Sequence, residues 1–235
     1  MTIGNIEDSQ RTASKVVGFA YLCALVPAIF AEFYVRRELV VPNAAQTAVN
    51  IAAHERLFRL GIASNLAVFA LDVALITALY VVLRPVNRLP ALLALGWGLV
   101  ETAILIITTL TDLDALRVLS GAQYLKAFEA DQLQALARLS IAAHGAAYNA
   151  GLVFAGLRST GFCYLWFKSG YIPKALAGWG IVASSVMGTC AFLFIVFPEL
   201  AKVVPVQLYG GPIFIFELTI GFWLLVKGIR RSNED

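Results

Sequence analysis

Six apolar runs, each long enough to cross roughly 30 Å of hydrocarbon as a helix, dominate this sequence. They run from Lys15 to Val35, Arg59 to Leu83, Ala91 to Thr111, Arg138 to Phe167, Ala175 to Phe197 and Pro205 to Val226. Inside a bilayer each backbone polar group must be satisfied within its own segment, so runs of this kind predict helices. The expected fold is all-α: a polytopic membrane bundle of six transmembrane helices, one integral membrane domain over residues 1–235. Composition agrees, because 60% of the residues are hydrophobic, only 14% are charged and mean hydropathy is +0.78. The formal charge of +3 is dispersed, with no basic stripe and no nucleic-acid motif, so no nucleic-acid partner is expected. Cys23, Cys163 and Cys190 all lie inside apolar runs and form neither a disulfide framework nor a metal-binding pattern.

The connections follow from the same reading. Residues Met1 to Ser14 form a short polar tail, and the run after Lys15 reads as an uncleaved span because no Ala-x-Ala site follows it. Pro27 predicts a kink in that span. After Pro42, Asn43-Ala-Ala-Gln46 has the spacing of a capping box and predicts a short surface helix in the first outer loop. Asp112 to Ala137 alternates charge with Leu, Val and Phe, which predicts amphipathic surface helices in the second outer loop. The turns holding Arg84, Arg88, Lys168 and Lys174 contain no acid and place both termini on the cytoplasmic side.

The fourth run carries the polar residues that hydrocarbon least tolerates. His144, Tyr148, Gly151, Ala155 and Arg158 recur at steps of four and three and share a helix face. Ala143, Ala147, Gly151, Ala155 and Ser159 form a small-residue row suited to close helix packing. His144 and Arg158 stand roughly 20 Å apart along the axis, too far to share one small site. Asn65 and Asp72 share a face of the second span. A charge at the bilayer centre costs about 3 kcal/mol, so Glu32, Asp72, Glu101 and Glu217 must be protonated, paired or wet. By depth Asp72, Glu101 and Glu217 fall near the midplane, where the Arg158 stem reaches, while Glu32 and His144 lie nearer the outer surface. Glu32, Asn65, Asp72, Glu101, His144, Tyr148, Arg158 and Glu217 are the candidates for lining an outward-facing polar cavity that takes a ligand or a proton.

A repeat is also visible. Arg59-Leu-Gly-Ile-Ala-Ser-Asn65 parallels Arg138-Leu-Ser-Ile-Ala-Ala-His144. Leu89-Pro-Ala-Leu-Leu-Ala-Leu-Gly-Trp-Gly98 parallels Ile172-Pro-Lys-Ala-Leu-Ala-Gly-Trp-Gly180 with one gap, again at an offset of about 80 residues. These offsets fit three tandem two-helix units and place Asn65 and His144 at equivalent depths.

Several stretches together resemble a known family: Phe58-Arg59-Leu60-Gly61, Leu83-Arg84-Pro85-Val86-Asn87-Arg88, Ala143-His144, Gly151-Leu152-Val153-Phe154 with Gly156-Leu157, and Ser169-Gly170-Tyr171-Ile172-Pro173. The combination is similar to the bacterial "domain of unknown function 4386" membrane family and covers nearly the whole chain. The resemblance implies a multi-pass protein of the bacterial cytoplasmic (inner) membrane and supplies no activity. Family members often carry histidine where this chain has Arg158, which counts against a metal or haem model that needs one there.

Four functional readings fit. Membrane lipid is the expected surrounding partner, and a homo-oligomer is compatible with the pattern. The first reading is binding or handling of a small lipophilic or protonatable molecule. The second is proton-coupled transport, with Pro27 and Gly210-Gly-Pro212 as helix interruptions. The third is a metal-dependent membrane hydrolase using His144 with intramembrane carboxylates, although the chain has two histidines and no HExxH. The fourth is a structural or assembly role.

Overall fold

A computed structural model describes residues 7–230, apart from the side chain of Tyr124. Its regular elements are all helical. Among the described residues four stretches are long and apolar enough to cross a membrane: Asp8–Leu39, Glu55–Leu83, Arg88–Leu119 and Lys174–Val196.

Helix α1 is Asp8–Ile29. Residues 8–14, expected in a polar tail, are helical, and Gln10 and Ser14 are buried. Gln10 gains this place by donating to the Val82 carbonyl at 2.9 Å. Proline brings no N–H to the ladder at position 27. A little further on, the helix widens into a π-helical stretch, Phe30–Arg36, before the short α2, Arg37–Leu39. Helix α3, Ala44–Ala53, begins where the capping signal sits, with Asn43 Oδ1 accepting from the Gln46 N–H at 2.9 Å. Helix α4 is Glu55–Leu83.

Helix α5, Arg88–Leu119, overruns its expected end at Thr111. The Thr108, Thr109 and Thr111 hydroxyls donate back to carbonyls three residues earlier, so their polar groups are satisfied within the helix itself. Gly121, at φ +67°, then turns the chain. The surface helices expected over Asp112 to Ala137 are replaced by helix extensions and one 3₁₀ turn, Gln123–Ala127.

Helix α6, Ala130–Ser169, has 40 residues, about 60 Å of axis. Ala143 of the expected packing row is exposed. The closest approach involves Gly156, where an added Cβ would stand 2.5 Å from the Gly188 Cα of helix α7, Lys174–Val196. Two single-turn helices follow, α8 Leu200–Val203 and α9 Val206–Tyr209. Helix α10 is Gly211–Val226, and with α9 it makes the last apolar run helical from Val206, next to the expected start at Pro205. Pro205 caps α9, Gly210 between the two helices keeps a right-handed helical backbone with its N–H on the Val206 carbonyl at 2.7 Å, and Pro212 stands in the first turn of α10.

The contacts define two compact units. One comprises Leu71–Thr102 with the chain up to Cys23 and from Asn149 onward; the other comprises Ala24–Ala70 and Ala103–Tyr148. The first has a core around Leu79, Phe162, Trp166, Phe216 and Ile220. The second is centred on Val35, Ile51, Phe58, Leu116 and Ile141.

Candidate functional site

In the first unit, Arg158 on α6 is the centre of a buried charge cluster. Its Nε lies 2.8 Å from Glu101 Oε2 on α5, and its Nη1 lies 3.8 Å from Asp72 Oδ1 on α4. Arg158 and Glu101 are buried, and Asp72 is nearly so. The Glu101 contact is an ion pair outside hydrogen-bond geometry. Consequently Glu101 Oε2, Arg158 Nε and Arg158 Nη1 are buried without a hydrogen-bond partner among the described residues. Glu217 on α10 and Tyr21 on α1 interact electrostatically with the guanidinium. The arginine fits because Gly98 lies one turn before Glu101: a Cβ there would stand 2.8 Å from Arg158 Cδ and 3.0 Å from Ile76 Cγ2.

In the second unit, Asp112 is the centre. Its Oδ2 lies 2.9 Å from His144 Nδ1, and Arg36 Nη1 donates to its two oxygens at 3.2 and 3.3 Å. Asp112 and His144 are both buried. With Nδ1 turned to the carboxylate, a neutral His144 carries its proton there and its lone pair on Nε2. Tyr148, one turn along α6, stacks on the imidazole with ring centroids 6.3 Å apart. Close to Asp112, Asn65 donates to Glu32 Oε1 at 3.1 Å. Glu32, Arg36, Asn65 and Asp112 line one cavity of about 10 Å³, room for roughly one water. The π-helical stretch carries Glu32 and Arg36, and such widened turns recur at functional positions.

A model of the family "Domain of unknown function (DUF4386)" matches residues 16–228. The chain belongs to this family. No curated protein and no solved structure matches it. The chemistry of this DUF4386 protein therefore rests on its own residues.

The structure gathers Asp72, Glu101, Arg158 and Glu217 in one unit and Glu32, Asn65, His144 and Tyr148 in the other. Sequence reasoning missed Arg36 and Asp112. Arg36 lies one residue beyond the expected end of the first span at Val35, although it stands four residues after Glu32. Asp112 was assigned to a surface segment, although it follows Glu101 by three helical turns. Among the described residues no three His, Cys, Asp or Glu side chains are placed to hold a metal ion. His144 meets Asp112, whose other partner is the cation Arg36, where a metal reading needs a further anionic or neutral ligand. His54 turns its Nδ1 to the Asn50 carbonyl at the end of α3.

Proposed function

We propose that this DUF4386 protein is an integral protein of the bacterial cytoplasmic membrane that binds a small lipophilic, protonatable molecule at the Arg158 cluster. Six crossings in three tandem pairs, with both termini cytoplasmic, are part of the reading. To the four long apolar helices it adds α6 as the fourth crossing, where Arg158 is paired with Glu101 and Asp72, and the short α10 as the sixth. One observation carries the ligand: two carboxylates, Asp72 and Glu101, pair with a single guanidinium whose field also reaches Glu217, and the cluster keeps unused hydrogen-bonding atoms. Carboxylates in excess favour a positively charged guest, and a low-dielectric wall strengthens that preference. A lipophilic body would let the guest enter from the bilayer.

Native mass spectrometry of the detergent-purified full chain, wild type beside Glu101→Gln, tests the assignment. The expected result is a small molecule retained at one per chain in the wild type and lost in the variant. Retention by both proteins moves the ligand elsewhere. Bare protein in both, with Glu101→Gln changing thermal stability alone, makes the cluster structural.

A carrier reading has its own support in Gly210-Gly-Pro212, where the regular helical ladder is interrupted between α9 and α10. It predicts ligand-dependent proton flux in liposomes that Asp72→Asn abolishes.

A further inference from the structure

The N-terminal turns of α1 and the C-terminal end of α10 enclose a pocket of about 580 Å³. Among the described residues its polar wall holds four cations, Arg11, Lys15, Lys227 and Arg230, and no acid. Arg11 and Lys15 are one helical turn apart, a like-charge spacing that repels unless an anion lies near. Among the described residues no carboxylate is within ion-pair distance of any of the four. Arg230 is held in place. Gly228, at φ +65°, reverses the chain after α10, the Arg230 N–H donates to the Tyr171 carbonyl at 2.9 Å, and its guanidinium stacks 4.9 Å from the Trp223 ring centre. Beside the buried Ser14, the rest of the wall includes the apolar Leu224, Leu225 and Val226, the last 74% exposed. Cations therefore border exposed hydrocarbon at the point where both helices pass from polar to apolar sequence.

We propose that this pocket binds the phosphate headgroup of an anionic phospholipid, with an acyl chain lying along Leu225 and Val226. The chemistry recognised is a phosphate ester, and the apolar wall selects the lipid over free phosphate. Clustered Lys and Arg beside a membrane helix bind such headgroups through charge and charge-assisted hydrogen bonds. The proposal shares with the function above only the membrane setting; it involves neither Arg158 nor its carboxylates.

The test titrates phosphatidylglycerol or phosphatidylcholine into micelles of the purified full chain and reads bound lipid by native mass spectrometry. Wild type is compared with Lys227→Gln/Arg230→Gln, with Arg11→Gln/Lys15→Gln on the opposite wall, and with Arg84→Gln/Arg88→Gln, the same charge loss in another turn. The expected result is preferential retention of phosphatidylglycerol, weakened about thirtyfold by either pocket variant and unchanged by the control. Equal loss in the control means diffuse attraction and overturns the site. Displacement of phosphatidylglycerol by an equal concentration of inorganic phosphate assigns the pocket to soluble phosphate and overturns the lipid. Absence of any Glu101-dependent small molecule from the wild type, with lipid retention intact, would sink the proposed function and leave this site standing.

Discussion

Gly98 makes room for Arg158: any side chain at 98 would begin 2.8 Å from the arginine Cδ. The guanidinium reaches Glu101 by crossing the bare backbone of α5, so the most polar cluster of the first unit depends on the smallest residue beside it. Gly98→Val is expected to overpack this crossing and cost about 1–3 kcal/mol. Thermal melts in detergent would read the loss, and a Gly96→Val control, where a Cβ meets nothing within 4 Å, should show little of it.

The two ion pairs of Arg158 are unequal, at 2.8 Å to Glu101 and 3.8 Å to Asp72. Arg158→Met leaves Glu101 buried without its cation and should cost about 3–5 kcal/mol, most of it recovered in Arg158→Met/Glu101→Met. Double-mutant cycles on stability should give a larger coupling for Arg158–Glu101 than for Arg158–Asp72. Equal couplings would contradict the geometry.

Asp112 and Asp114 are two residues apart and should behave in opposite ways. Asp112, with its side chain 5% exposed, accepts from Arg36 and His144; Asp114, 56% exposed, pairs with Arg117 on the surface. Asp112→Ala is expected to cost about 3–5 kcal/mol by leaving a cation without its anion. Asp114→Ala should stay within about 0.5 kcal/mol. Denaturant titration of both variants provides the comparison.

Asn43 provides a local test. Asn43→Ala removes the acceptor for the Gln46 N–H and should cost about 1 kcal/mol, whereas Asn43→Asp should retain most of it. Hydrogen exchange at Gln46 and Thr47 would report fraying of α3 directly.

Much of the secondary structure was readable because its signals are local. The cap at Asn43, the turn at Gly170-Tyr-Ile-Pro173 and the long apolar runs each lie within a few residues of what they specify. The reading failed where a local signal was ambiguous. Thr108 to Asp112 looked like the end of a span, but the helix runs on through it, its threonine hydroxyls satisfied by its own carbonyls, and carries Asp112 into a buried pair. Residues 8–14 looked like a tail, but Gln10 found a carbonyl on another helix.

The sequence by itself determined that the chain is helical, where the apolar stretches of the long helices lie, and which ionisable residues sit in apolar surroundings. Backbone hydrogen bonding and apolar run length are properties of contiguous residues, so they are written in order along the chain. Only the tertiary structure decided which charges meet. His144 reaches Asp112 across 32 positions and Arg36 reaches the same carboxylate across 76. Such pairings depend on how helices cross, and the crossings are set by close contacts such as Gly98 with Arg158 and Gly156 with Gly188.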